Sequence, residues 1–316
     1  ELGFMGKSWD SSGIAFDTEM WADIYKLLKP GAHLLAFSGS RTYHRMAVAI
    51  EDAGFEIRDQ LIYIYGSGFP KSLNIQKQLE KQGHPEANTY AGMGTALKPA
   101  HEPCVLARKP LDKGMTVAGS VLKHGTGGLA IDNCRIGTEQ VEQGREGRQV
   151  ADSSSYHNGL KPTERTLATG RFPANLIHDG SDEVEAVFPQ TGKSTGGRTI
   201  KRSGGGNVGS GKLSEASWSN DDPGFGDSGS ASRFFYTAKA SKSERNAGLE
   251  GFELKEPPAS ARSKPAEGRQ NALGEPRQNH HPTVKPLSLT KYLATLIKPP
   301  TGGRLLVPFS GSGSEM

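Results

Sequence analysis

A regular alternation of helix and strand patterns in the first 80 residues constrains the fold most strongly. Residues 17–31 space apolar side chains at helical intervals, between an N-cap at Asp17 or Thr18 and a terminating Pro-Gly pair. Residues 40–54 repeat this pattern, with Ser40 as the predicted cap and a glycine at the end. Two amphipathic helices, each with one buried face, are therefore predicted.

A short apolar segment follows each of these helices. Residues 33–37 predict a buried strand. Residues 55–65, rich in aromatic and β-branched residues, predict either a strand pair or one long strand. Short connections between helices and strands favour a mostly parallel sheet covered by helices. The predicted fold class is α/β with a doubly wound sheet.

The C-terminal segment combines a helix pattern with a glycine-serine loop. Pro286 suits the first turn of a helix, and leucines follow at helical spacing until a Pro-Pro pair prevents continuation. Residues 302–309 then predict a buried strand that leads into the sequence Ser-Gly-Ser-Gly. Gly311 and Gly313 would let backbone N–H groups approach a ligand at the carboxyl end of that strand, although an ordinary turn has the same pattern.

The middle of the chain has few periodic segments. Residues 101–111 and 171–180 are predicted as isolated ordered pieces between loops. Residues 190–230 contain 11 glycines and too few apolar residues to form a core alone. This stretch is predicted either to be a flexible insertion or to become ordered when it wraps a partner.

Composition excludes several classes of protein. The sequence has no apolar stretch near 18 residues and no signal-peptide pattern, so the prediction is a cytoplasmic protein with no membrane partner. Its two cysteines are far apart, which argues against a disulfide framework. The sequence Thr-Gly-Lys-Ser-Thr at 191–195 is not a P-loop, because Val187 occupies the required glycine position. A net charge of +4 is compatible with a nucleic-acid partner and equally with solvated surfaces.

Two C-terminal motifs together resemble one enzyme family. HPTVKPLSL at 281–289, followed by LLVPFSGSGS at 305–314, is similar to the HPTxKP and DPFxGSGT motifs of the amino-methylating DNA methyltransferases. The resemblance is to the subclass whose cofactor motifs follow the target-recognition region. ELGFMGKSWD at 1–10 looks like the residues that follow the family's catalytic [D/S]PP[Y/F] motif, and LIYIYGSGFPKSLNI at 61–75 resembles its target-base loop. HEPCVLARKPL and SRFFYTAKASKSER are similar to segments of phage-type and prophage-type members.

The resemblance implies a Rossmann-like methyltransferase sheet with a long, loop-rich inserted target-recognition region. It implies S-adenosylmethionine as the cofactor and double-stranded DNA as the partner. The residues implied at the cofactor are Pro282, Thr283, Lys285, Pro286, Phe309, Ser310, Gly311, Ser312, Gly313 and Ser314. Phe69, Pro70 and Lys71 are predicted either to border the target base or the DNA or to form a structural turn. Arg198, Lys201 and Arg202 form a basic cluster that is predicted either to contact DNA phosphates or to be a solvated loop. Val307 departs from the family, which usually has Asp there.

The resemblance also implies three regions. Residues 1–80 would be the catalytic half of the methyltransferase domain, residues 81–231 the target-recognition region, and residues 232–316 the cofactor-binding half. The sequence contains no [D/S]PP[Y/F] tetrapeptide. The chain is therefore expected to be an inactive fragment that begins after the catalytic motif and ends inside the cofactor site.

The chemistry implied for the intact protein is direct methyl transfer to an exocyclic amine of a flipped-out base. Such transfer needs no cysteine nucleophile, and Cys104 is interpreted as structural. Adenine N6 is preferred as the target, with cytosine N4 as the alternative. A DNA-binding prophage remnant without catalysis is the alternative from another class. A nicotinamide or flavin oxidoreductase is disfavoured, since no G-x-G-x-x-G motif occurs near the N-terminus.

Overall fold

The computed structural model describes residues 12–66, 68, 72–143, 166–192, 228–238, 253 and 285–309. The chain divides into two compact units. The sheet unit comprises Glu1–Cys134, Pro173–Val184 and Tyr236–Met316, and the hairpin unit comprises Arg135–Phe172 and Glu185–Phe235.

The regular elements are numbered here in chain order over the described residues. The strands are β1 His33–Phe37, β2 Glu56–Ile64, β3 His101–Arg108, β4 Ile136–Gln143, β5 Thr166–Arg171, β6 Leu176–His178, β7 Gln190–Thr191, β8 Gly229–Ser230 and β9 Tyr236–Thr237. The helices are α1 Thr18–Leu27, α2 Tyr43–Asp52, α3 Ile75–Lys81, α4 Val117–His124, α5 Asp182–Glu185 and α6 Leu287–Ile297.

The sheet unit contains a mixed sheet with the strand order β1-β3-β2-β6-β9. β3 is antiparallel to both of its neighbours, whereas β2, β6 and β9 pair in parallel. β1, β2, β6 and β9 therefore all run in the same direction, and only β3 is reversed. The predicted mostly parallel sheet is confirmed in this form, and residues 55–65 form one long strand rather than a pair.

Helices cover both faces of the sheet, and side chains of β3 alternate between them. Val105 and Ala107 lie in a buried cluster with residues of α1 and α2. Cys104 and Leu106 lie in a second buried cluster with residues of α6. The alternation follows from the two-residue period of a strand. Because both faces of β3 are covered, its side chains from residue 103 to 108 are all buried.

The first two helices differ in how they begin. α1 starts as predicted, because the Asp17 carboxylate accepts a hydrogen bond from the Glu19 backbone N–H at 2.9 Å. α2 starts at Tyr43, so the prediction of Ser40 as its cap is wrong. The backbone N–H groups of Thr42 and Tyr43 both donate to the Gly39 carbonyl, at 3.0 and 2.9 Å. This turn satisfies the donors that a capping side chain would otherwise take.

The prediction of a buried strand over residues 302–309 is also wrong. These residues lie outside every strand of the described chain. Leu305 and Leu306 are 51% and 45% exposed. A strand is stabilised by hydrogen bonds to a neighbouring strand, and within the described residues this segment has none.

Residues 101–111 were predicted as an isolated ordered piece between loops. Residues 101–108 instead form β3, which pairs with β1 on one side and β2 on the other. The sheet unit therefore extends to Cys134, past the sequence-based boundary at residue 81. Of the glycine-rich stretch 190–230, residues 193–227 lie outside the described residues. None of the described helices has the length and apolar character needed to cross a bilayer.

The amino end of β1 generates a prediction about acid stability. Burial, followed by the positive charges of Arg108 and Arg58, lowers the pKa of His33 from 6.5 to about 4. Between those pH values the unfolded chain binds a proton that the folded protein does not. The free energy of unfolding therefore falls as the pH falls through this window, by about 2 kcal/mol at pH 4.5.

We expect His33→Gln to abolish this part of the pH dependence. The measurement is urea unfolding followed by tryptophan fluorescence at pH 7 and pH 4.5, for both proteins. Arg58→Gln is the control: it removes one of the charges that lower the pKa, so its loss of stability should be smaller than that of the wild type but present. A His33→Gln variant with the same pH dependence as the wild type would contradict the assignment.

Candidate functional site

Three strands bring chemically active side chains to one edge of the sheet. β1 and β2 end at this edge and the antiparallel β3 begins there, as the pairs Phe37↔Cys104 and Ile64↔His101 show. The carboxyl ends of parallel strands are the usual location of ligand sites in open α/β sheets. A ligand site is therefore expected at this edge.

Lys285 forms the main electrostatic contact at this edge. Its ammonium group donates a hydrogen bond to the Glu102 carboxylate and lies 4.8 Å from the centroid of the Phe37 ring. The two charged side chains are 11% and 22% exposed. The carboxylate and the face of the aromatic ring both stabilise the partly desolvated cation. The pair also joins two segments that are 183 residues apart in the chain.

Two titratable groups beside this pair are held in their protonated forms. Burial, and then the negative charge of Glu102, raises the pKa of Tyr65. Burial raises the pKa of the Cys104 thiol to about 12, although a hydrogen bond with the Ala36 backbone and the charge of Lys285 act against it. A thiol with this pKa is a poor nucleophile at neutral pH. The structure therefore supports the interpretation of Cys104 as structural.

A second polar cluster connects the carboxyl ends of β2 and β6. The Asp179 carboxylate accepts hydrogen bonds from the Gly66 N–H at 3.0 Å, the Ser181 N–H at 2.9 Å and the Ser181 hydroxyl at 2.7 Å. The approach at Gly66 is close, because a Cβ there would come within 2.5 Å of the Ser181 hydroxyl oxygen. A larger residue at position 66 would therefore displace the Ser181 side chain, and the carboxylate fixes the loop that follows β6.

The fully buried His178 makes hydrogen bonds with both ring nitrogens. Its Nδ1 accepts from the Gly180 N–H at 3.2 Å, which places the ring proton on Nε2. Nε2 then donates to the Thr237 hydroxyl, 3.1 Å away. This arrangement ties β6 to β9 and gives His178 a structural role at the edge of the sheet.

Three of the predicted cofactor residues are described, and the structure does not bring them all together. Pro286 is buried and caps α6, and its carbonyl accepts from Leu289 and Thr290. Lys285 contacts Phe37, which packs against the α6 cluster. Phe309 instead lies 6.2 Å from Trp21, ring centroid to ring centroid, and Trp21 belongs to the α1 and α2 cluster on the other face.

The remaining predicted site residues lie outside the described residues. They are Phe69, Pro70, Lys71, Arg198, Lys201, Arg202, Pro282, Thr283, Ser310, Gly311, Ser312, Gly313 and Ser314. Sequence reasoning missed Glu102 and Phe37 as contacts of Lys285. A signal for Glu102 was present, since it is a carboxylate that directly precedes the apolar run 103–107. Such a charge needs a partner, but the pattern does not say which one.

Comparison with known proteins finds similarity both in sequence and in structure. The chain is 28% identical over 152 residues to the type II methyltransferase M.HindIII of Haemophilus influenzae. The aligned region covers 46% of this chain and 49% of that protein. The chain thus spans about half the length of this relative. The crystal structure of an M1.HpyAVI–SAM complex matches 29% of this chain and 38% of its own, with 17% identity and a TM-score of 0.20, too low to support an argument. No protein-family model matches the chain.

The ion pair between Lys285 and Glu102 is expected to stabilise the sheet unit measurably. Removing one partner leaves the other charge partly buried and unbalanced, so Glu102→Gln should lower the free energy of unfolding by about 1–3 kcal/mol. A double-mutant cycle with Lys285→Gln should give a coupling energy of at least about 1 kcal/mol.

The exposed pair Lys26–Asp23 provides the matched control, since its side chains are 73% and 76% exposed. The corresponding cycle with Lys26→Gln and Asp23→Asn should give a coupling energy well below that of the Lys285–Glu102 pair, because solvent screens exposed charges. Urea unfolding at pH 7 measures both cycles. Equal coupling energies at the two sites would show that the Lys285–Glu102 contact is not a partly buried pair in solution.

Proposed function

We propose that this chain is part of a DNA methyltransferase that uses S-adenosylmethionine and modifies the N6 amino group of adenine. The observation that carries the proposal is the HPTVKP segment with Lys285 at the carboxyl edge of a mostly parallel sheet. The similarity to a type II methyltransferase over 46% of the chain supports it. A protein of this class would act in the cytoplasm of a bacterium or a phage-infected cell, within a restriction–modification or phage modification system.

The residues at the edge fit one part of the cofactor. S-adenosylmethionine carries a carboxylate, and Lys285 offers an ammonium group that already binds a carboxylate, that of Glu102. We propose that Lys285, with Pro282, Thr283 and Pro286, binds the amino-acid end of the cofactor. When bound, S-adenosylmethionine supplies an electrophilic methyl group. The loop of Ser310, Gly311, Ser312, Gly313 and Ser314, together with Phe309, is proposed to contact the rest of the molecule through backbone N–H groups and hydroxyls.

Catalysis is proposed to depend on positioning. An exocyclic amine is a weak nucleophile because its lone pair is delocalised into the base, so acceptors for its hydrogens must be supplied by the protein. The [D/S]PP[Y/F] tetrapeptide that would supply them is absent from these 316 residues. Direct transfer then needs an in-line approach of amine and methyl group, to which orientation contributes strongly. The protonated Cys104 thiol has no part in this scheme.

Methyl transfer and DNA recognition are proposed to belong to different regions of the chain. Residues 1–80 and 232–316 belong to the methyltransferase domain, and the DNA sequence is read by residues within 81–231. Phe69, Pro70 and Lys71 are proposed near the target base, and Arg198, Lys201 and Arg202 near the phosphates. Residues 101–108 form β3 of the sheet unit, and the proposal places recognition of the DNA sequence in the other parts of 81–231.

Methyl transfer is the direct test of the proposal. A polypeptide of these 316 residues should transfer no radiolabelled methyl group to DNA, because it lacks the tetrapeptide. A longer protein that contains the tetrapeptide in addition to these 316 residues should convert adenine in DNA to N6-methyladenine. Mass spectrometry of nucleosides from the treated DNA detects this product. N4-methylcytosine would favour the alternative target. DNA binding without any methylated base would favour the non-catalytic remnant, and turnover by the 316 residues alone would overturn the proposed role of the missing motif.

The proposed role of Lys285 has a separate test in that longer protein. We expect Lys285→Gln to weaken the binding of S-adenosylmethionine about tenfold, which corresponds to roughly 1.4 kcal/mol. Lys291→Gln changes an exposed lysine of α6 in the same way and should bind like the wild type. Isothermal titration calorimetry at constant salt measures both affinities. If the two variants bind equally well, Lys285 does not contact the cofactor.

A further inference from the structure

The hairpin unit contains an unusual set of arginine–phenylalanine contacts. The Arg135 guanidinium carbon lies 6.0 Å from the centroid of the Phe172 ring. The Phe234 ring has two such neighbours, Arg171 at 4.9 Å and Arg233 at 4.4 Å. The Arg171 Nη1 atom is buried, so we restrict the name Arg–Phe surface to Arg135 and Phe172.

The backbone of the unit holds these side chains in place. β4 and β5 pair antiparallel, with Ile136 opposite Arg171, so Arg135 and Phe172 lie at the same end of the two-stranded sheet. The Arg135 guanidinium donates to the Gly170 carbonyl at 3.3 Å. The Arg233 guanidinium donates to the carbonyls of Gly229 and Ser230, at 2.7 and 2.6 Å. A guanidinium fixed in this way loses less conformational entropy when it binds an anion.

Exposure and charge both point to an external partner. The Phe172 side chain is 62% exposed, which is high for an aromatic ring that packs only within its own unit. The Arg135 side chain is partly exposed. Over its full sequence the hairpin unit has 12 lysines and arginines and 10 aspartates and glutamates, which gives a net charge of +2. The unit thus carries half of the chain's net charge of +4.

We propose that the Arg–Phe surface contacts DNA, with the Arg135 guanidinium on a phosphate and the Phe172 ring against a base. The proposal rests on the proposed methyltransferase function and places its DNA contact on residues that the sequence did not single out. Arginine binds phosphate in a planar, bidentate geometry, and an aromatic ring stacks on the face of a base. An acidic protein segment would also suit the arginine, but it offers no flat partner for the exposed ring.

The test is binding of the protein to a fluorescently labelled DNA duplex of about 30 base pairs, followed by anisotropy at several salt concentrations. Each phosphate contact contributes about 0.9 to the slope of log affinity against log salt. Arg135→Gln should therefore reduce this slope by about that amount and weaken binding severalfold, whereas Arg135→Lys should retain the slope. Phe172→Ala should weaken binding about fivefold or more with the slope unchanged.

Arg45→Gln is the matched control, because Arg45 is an exposed arginine of α2 in the sheet unit. It should retain both the affinity and the slope of the wild type. Circular dichroism and the unfolding temperature establish that each variant is folded. The exposed position of Phe172 keeps the test decisive even if an arginine variant unfolds.

The outcomes separate this proposal from the proposed function. Unchanged affinity and slope in Arg135→Gln and Phe172→Ala would overturn the Arg–Phe surface, even in a protein that methylates DNA. Weakened binding in these variants supports the surface, even in a protein with no methyl transfer. If polyglutamate displaces the labelled duplex as effectively as unlabelled DNA does, the surface binds acidic protein segments. That result would also overturn the proposal.

Discussion

Burial of β3 on both of its faces is the constraint on which the sheet unit depends. Its apolar side chains alternate between the cluster under α1 and α2 and the cluster under α6. Such a strand is stable only between two other strands, and it pairs with β1 on one side and β2 on the other. The reversed direction of β3 then places its first residues at the edge where its neighbours end.

The charged residues at the two ends of β3 follow from the same constraint. A charge that adjoins a buried strand needs a partner, since desolvation is costly. At the first end Glu102 binds Lys285, and at the other Arg108 binds Glu56 at 2.6 Å. The second pair lies away from the carboxyl edge and has a structural role. The first pair brings a lysine to the place where α/β sheets bind ligands, and for this reason it carries the functional proposal.

Local patterns were sufficient where a segment's own residues decide its structure. The helices α1 and α6 were predicted because their apolar residues recur at helical spacing and their ends are marked by Asp17, Pro286 and Pro299. The start of α2 was missed, because the carbonyl of Gly39 rather than the Ser40 side chain takes the backbone donors. The strand over 302–309 was predicted wrongly, because a strand depends on a neighbour that local pattern cannot supply.

The sequence by itself determined the α/β class, the position of α6 and the identity of Lys285 as a candidate site residue, since periodicity and short motifs are local properties. Only the tertiary structure decided that residues 101–108 form the strand between β1 and β2 and that Glu102 and Phe37 contact Lys285. It also decided that Arg135 and Phe172 lie together at one end of a hairpin. These contacts join residues that are far apart in the chain, and strand pairing, which depends on the burial of the whole sheet, selects them.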